Sequence, residues 1–209
     1  MLNVAELLTL TNAFSPTGIF PEKNWPDLCL NWAMRRLLIF LSLLVFPAVF
    51  GFQTIPNGDT NARLKSVFIY NFTRYIDWPA DYKAGDFVIN MFGTNAAMLT
   101  ELNKMATTKT VGTQKIVIRN TTTLDGIGKC HILYVCNDVS TPISDILVRL
   151  KGKATLLVTE QPGLAKKGSA INFVVVENRQ KFELNQMNAE KNNLKVSSSL
   201  LALAIPVEN

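Results

Sequence analysis

Six short strand-like runs, each bounded by turn-forming residues, constrain this chain more than any other feature. They span 87–92 (closed by Gly93), 114–119, 130–136, 154–159, 170–177 and 181–184. Runs this short, bounded in this way, read as strands. Helical periods fit between several of them, at 95–106 and 142–150, and follow the last at 186–192 and 197–204. Strands alternating with helices predict an α/β fold: a single compact domain with a mostly parallel sheet flanked by helices. The last two runs are separated only by Asn178-Arg179-Gln180, which predicts an antiparallel edge hairpin.

Ahead of the first strand, the period changes to a helical one. Leu64, Val67, Phe68, Tyr70, Phe72, Tyr75 and Ile76 recur near i, i+3 and i+4, with Arg63, Ser66 and Arg74 between them. The pattern predicts an amphipathic helix from Ala62, stopped by Trp78-Pro79, because the residue before a proline is pushed out of the helical region. Residues 52–61 are polar and rich in turn formers, and read as a flexible leader.

Compartment is set further upstream. Met34, Arg35 and Arg36 precede the apolar run 37–46, and Pro47, Ala48 and Gly51 supply a turn and small residues. A basic start, a short apolar stretch and a small-residue exit make a secretory signal. The stretch 37–52 is 16 residues long, short of the roughly 20 a spanning helix needs. Segment 34–51 is therefore expected to be a signal peptide cleaved after Gly51, which sends the mature domain, residues 62–209 with its leader, to the periplasm. Residues 1–33 show no sustained period and are expected to be an extension upstream of the true start at Met34.

The chain carries a net charge of +5, all of it beyond Gly51. Lys151, Lys153, Lys166 and Lys167 form the densest cluster. No aromatic residues interleave with them, so a solvated face is expected and nucleic acid is not a predicted partner.

A search for catalytic chemistry returns little. His131 is the only histidine; it sits inside an apolar strand with no acid nearby to orient it, and reads as a hydrogen-bonded structural imidazole. No nucleophile elbow, phosphate-binding glycine loop or His-Glu-x-x-His is present. Asp125-Gly126-Ile127-Gly128 precedes a strand, where a dinucleotide fingerprint needs a helix N-terminus, and reads as a turn. Cys130 and Cys136 are the candidate redox thiols. Six residues of regular strand place their Cα atoms about 20 Å apart, beyond the reach of a disulfide unless the strand ends early and folds back. Neighbouring strand residues point to opposite faces, so Cys130, His131 and Cys136 do not make a metal site. No cofactor and no catalytic residue is predicted.

The stretch Leu64-Lys65-Ser66-Val67-Phe68-Ile69-Tyr70-Asn71-Phe72-Thr73-Arg74-Tyr75-Ile76-Asp77-Trp78-Pro79 resembles the opening signature of the YfiR family of bacterial periplasmic proteins. So does a later series: Leu156-Leu157-Val158-Thr159-Glu160, Gly163-Leu164-Ala165, Ile171-Asn172-Phe173, Phe182-Glu183-Leu184-Asn185 and Ser197-Ser198. The resemblance covers about 62–204. It implies a signal peptide, an α/β periplasmic domain and no enzymatic activity. By analogy the protein binds the periplasmic domain of an inner-membrane signalling protein, of diguanylate cyclase or sensor kinase type, and restrains it; an outer-membrane lipoprotein is the implied releasing partner. Two features depart from the family pattern. Gly168-Ser169 stands where a Gly-Gly pair is usual, and Asn90 and Phe173 lie where partner cysteines of the family's disulfides are expected.

Arg74, Tyr75 and Trp78 are the candidate partner-binding residues, set within one turn at the end of the first helix. Phe68, Phe72, Ile171, Phe173, Phe182 and Leu203 fall on apolar periods and are expected in the core. An edge hairpin admits a homodimer. The alternative reading is a periplasmic small-ligand sensor, since open α/β sheets bind ligands beyond the carboxyl ends of their strands.

Overall fold

The computed structural model describes residues 57–208. The expected signal residues Met34, Arg35, Arg36 and Gly51 lie outside the described residues, as do segment 1–33 and the first part of the leader. Among the described residues no helix is long and apolar enough to cross a membrane.

Helix α1 (Asn57–Tyr75) opens the domain. It starts five residues before the periodic pattern does, so residues 57–61, expected in the leader, are helical. Ala62, Ser66, Ile69, Phe72 and Thr73 are its buried positions. Burying Ile69 and Phe72 contributes on the order of 1.5–3 kcal/mol each. Leu64 and Val67, expected on the same apolar face, are 40% and 48% exposed. The buried stripe runs through small and polar residues: the Ser66 hydroxyl is satisfied by the Arg63 carbonyl at 2.7 Å, which lets it enter the core.

Short strand β1 (Ile76–Asp77) leads to a 3-10 turn at Ala80–Tyr82 and then to β2 (Phe87–Phe92). Helix α2 (Ala96–Thr108), the hairpin β3 (Thr110–Val111) and β4 (Gln114–Thr121), and β5 (Ile132–Val135) follow. Next come α3 (Ile143–Leu150), β6 (Leu156–Thr159), β7 (Ile171–Val176) and β8 (Arg179–Leu184). The chain closes with α4 (Gln186–Lys191), β9 (Lys195–Val196), α5 (Ser198–Leu203) and β10 (Ile205–Pro206). Eight strands form one sheet in the order β10-β8-β7-β6-β5-β2-β4-β3. The five from β7 to β4 in that order run parallel, as the alternation of strands and helices predicts. β1 and β9 form a separate antiparallel ribbon that fastens the end of α1.

Two details differ from expectation. The β7–β8 hairpin turns on Glu177 and Asn178, at φ 51° and 58°, rather than on 178–180. Two successive left-handed residues match the twist of the flanking strands, so Arg179 and Gln180 join β8. The hairpin also lies one strand in from the edge, because β10 adds parallel to β8 through Ile205↔Glu183 and Pro206↔Leu184.

The sheet separates two apolar layers. Helices α1, α2, α4 and α5 cover one face, over Ile89, Met91, Tyr134, Leu156, Phe173 and Phe182. On the other face, α3 and the turn at Leu124–Gly126 cover Val88, Phe92, Leu133 and Leu157. The Phe68, Phe72, Phe173 and Phe182 rings meet at 5.1–6.4 Å, so α1 is keyed onto the hairpin. Leu203, expected in the core, is 68% exposed. α5 ends there and Ala204 turns extended to start β10, leaving Leu200 as the buried anchor.

Candidate functional site

The parallel strands reverse their order between β2 and β5: β4 adds on one side of β2, and the chain returns to place β5 on the other. The crevice outside the carboxyl ends of the strands at such a reversal is where open α/β sheets take ligands. Here the chain itself closes it. Gly93, at φ +135°, packs so tightly that a Cβ would lie 2.5 Å from Cys136 Cβ and 2.6 Å from Asp138 Oδ1. The Thr94 N–H donates to Asp138 Oδ2 at 2.8 Å, and the Thr94 hydroxyl donates to the same oxygen. That hydroxyl bond is the main cause of an Asp138 carboxyl held below its ordinary range.

Beside the closed crevice, the ends of β5 and β6 carry a carboxylate with three donors. Glu160 Oε1 accepts from the Tyr134 hydroxyl at 2.7 Å and from the Asn137 N–H at 3.1 Å. Glu160 Oε2 pairs with Lys65, which reaches over from α1. The Lys65 and Glu160 side chains are 16% and 7% exposed, so this pair is shielded from solvent, and Lys65 Nζ lies 5.9 Å from the Phe173 ring centre. Burial first, then the Glu160 charge, pushes the Tyr134 phenol up. It therefore stays protonated and serves as a donor. A carboxylate so engaged suits a clamp between α1 and the sheet. A groove beside it is lined by Asn137, Pro162, Phe173, Val175 and Gln180.

At the opposite, amino end of the strands lies His131, packed among aromatic rings. His131 Nδ1 accepts from the Val88 N–H at 3.0 Å, so its proton sits on Nε2, which donates to the Tyr82 carbonyl at 2.7 Å. Its ring stacks on Phe87 at 4.2 Å, and burial lowers its pKa. Both nitrogens are spent on backbone, as expected of a structural imidazole. The Asp125-Gly126-Ile127-Gly128 segment is a turn.

The predicted partner residues are not gathered on one surface. Trp78 is only 5% exposed; its Nε1 donates to the His131 carbonyl at 3.2 Å and its ring meets Phe87 edge-on at 5.1 Å. Such a ring has no face to offer a partner. Arg74 is exposed and Tyr75 half-buried. Cys130 and Cys136 are free and buried. They flank β5 and pack into opposite layers of the sheet, and burial pushes their thiols up to about 11 and about 12. Among the described residues no group of three His, Cys, Asp or Glu is placed to hold a metal ion.

What the sequence reading misses is the Lys65, Tyr134 and Glu160 cluster. Lys65 and Glu160 both fall in segments that carry the resemblance, but no local pattern links residues 95 positions apart. What the geometry does supply is a feature of α1. Leu64, Val67, Asn71 and Arg74 follow one another at three- and four-residue steps, and this stripe is exposed except for the half-buried Asn71.

A reversal crevice sealed by its own chain, with its polar groups spent on internal bonds, defines a single α/β domain built around a locked sheet end. The chain belongs to the YfiR/HmsC-like family, whose model matches residues 62–205. No curated protein matches it. Among solved structures, it is similar to a conserved domain protein from Vibrio cholerae O1 biovar eltor str. N16961, at 11% identity and a TM-score of 0.49. That similarity covers 70% of this chain and 60% of the other.

Proposed function

We propose that this protein is a non-enzymatic periplasmic regulator that binds the periplasmic domain of an inner-membrane signalling enzyme and holds it inactive. The family match over 62–205 carries this reading. The signal-like segment 34–51 supports export, and the buried, protonated thiols and Tyr134 phenol are not activated nucleophiles or bases. Restraint needs only that the protein bind the inactive state of the enzyme more tightly than the active one.

The surface we assign to the enzyme is the exposed stripe of α1: Leu64, Val67 and Arg74, with Tyr75 at its end. Two exposed aliphatic side chains on one helix, followed by a cation, suit a partner helix with an apolar and acidic face. Trp78 acts from below by anchoring the chain just past the helix end. A lipoprotein that competes for the same stripe releases the enzyme.

The test is a photo-crosslinking amino acid at Val67 in living cells, with Val148, exposed on the other face of the sheet, as control. Capture of an inner-membrane protein from Val67 but not Val148 supports the reading. Capture from neither site, in cells where the enzyme is present, contradicts it. The second reading, a small-ligand sensor, rests on the groove beside Glu160; a metabolite that perturbs Phe173 and Gln180 favours it.

A further inference from the structure

Lys166 and Lys167 lie on the connection between β6 and β7, and three devices hold that connection in place. Asn188 Nδ2 lies 2.9 Å from the Ala165 carbonyl and 3.0 Å from the Ser169 carbonyl, and Asn185 Nδ2 donates to Ala165 at 3.1 Å. The Lys167 and Ser169 N–H groups both donate to the Leu164 carbonyl at 3.0 Å. Gly168, at φ +125°, lies so close to α3 that a Cβ would meet Leu147 Cδ1 at 2.4 Å. The backbone beneath the two lysines is therefore fixed.

Lys191, from α4, completes the arrangement; its Nζ donates to Asn188 Oδ1 at 3.3 Å. Lys166, Lys167 and Lys191 together line a pocket of about 290 Å³, with Gly168, Asn188 and Leu147 between them. No carboxylate lines it. The ion pairs among the described residues use Lys65, Lys83, Lys104 and Lys129, so Lys166, Lys167 and Lys191 have no counter-charge among the described residues. A fixed loop and the end of a helix that set three lysines around one cavity are arranged for an anion, and lysine is a point-charge ligand for phosphate.

We propose that this pocket binds a phosphate group, carried by a free phosphorylated molecule or by a lipid headgroup. It stands apart from the α1 stripe and does not depend on the regulatory reading.

The exported protein, purified from cells, is titrated with inorganic phosphate while the backbone resonances of 165–168 and 188–191 are followed. In parallel it is floated with phosphatidylglycerol vesicles and with phosphatidylcholine vesicles. The comparison variant is Lys166→Gln/Lys167→Gln/Lys191→Gln, whose exposed positions leave the fold intact; Lys83→Gln controls for loss of charge. Saturable phosphate shifts at these residues, weakened at least tenfold in the triple variant but not in Lys83→Gln, are expected. Binding to phosphatidylglycerol that phosphate competes away assigns the headgroup source. Phosphate binding without vesicle binding assigns the free one. Absence of saturable shifts, or equal phosphate affinity in the triple variant, overturns the proposal.

Discussion

The phenolic oxygen of Tyr134 lies 2.7 Å from Glu160 Oε1, and Lys65 pairs with the other carboxylate oxygen. This joins α1 to the carboxyl ends of β5 and β6. A hydrogen bond to a charged group contributes about 1.5–3 kcal/mol, so Tyr134→Phe is expected to lower stability by that amount in urea unfolding. A double-mutant cycle with Lys65→Met and Glu160→Gln is expected to give a coupling above about 1 kcal/mol, because the pair is shielded. The same cycle on Lys83 and Asp77, both more than half exposed, is expected to give less. Equal couplings would mean that Lys65 is solvated and clamps nothing.

His131 gives the chain a pH response that a single group explains. Burial lowers its folded pKa below the ordinary value of 6.5, and its Nδ1 is an acceptor that protonation destroys. A depressed folded value means that the unfolded chain binds the proton first. Its stability contribution is thus complete above about pH 6.5 and is lost as pH falls from there through the folded value. Thermal melts between pH 7.5 and 5 are expected to show a falling Tm, and the imidazole resonance a midpoint below 6.5. A midpoint at or above 6.5 contradicts this placement.

The two thiols are predicted to be silent in the folded protein. With pKa values pushed up to about 11 and about 12, fewer than about one in a hundred is thiolate at pH 8. Maleimide labelling of Cys130 and Cys136 is expected only after denaturant is added. Because the residues pack into opposite layers of the sheet, oxidation of the native protein is expected to leave the mass of the reduced protein unchanged. Rapid native labelling of either would restore them as redox candidates.

Gly93 has no room for a side chain. Gly93→Ala places a methyl group 2.5 Å from Cys136 Cβ at a φ of +135°, and both the clash and the backbone strain oppose it. A loss of about 1–3 kcal/mol is expected. Gly152→Ala, where nothing lies within 4 Å, shares only the strain and is expected to cost less.

Mostly apolar runs made the central parallel strands readable: Phe87–Phe92 and Leu156–Thr159 are found as strands, because a strand buried on both faces is largely apolar. Elements of two residues left no period to detect. β1, β3, β9 and β10 exist only because a partner strand lies beside them, and β10 is what moves the hairpin off the edge. Val67 and Leu203 matched apolar periods yet are exposed, since periodicity does not say which arc of a helix meets the sheet. The Lys65–Glu160 pair joins the first helix to the end of β6, which only the fold brings together.

Restraint by contact at the α1 stripe has one decisive test, in cells. Val67 is 48% exposed, so Val67→Glu is expected to change stability by no more than the small range of surface substitutions, about 0.5 kcal/mol. Cellular cyclic di-GMP is measured by mass spectrometry in the parent strain, in a deletion strain, and in the deletion strain carrying wild type or Val67→Glu. The level is predicted to rise on deletion, to return with wild type and to stay high with Val67→Glu. Restoration of the parental level by Val67→Glu would contradict contact at the α1 stripe, and a level unchanged by deletion would contradict a diguanylate cyclase as the restrained enzyme.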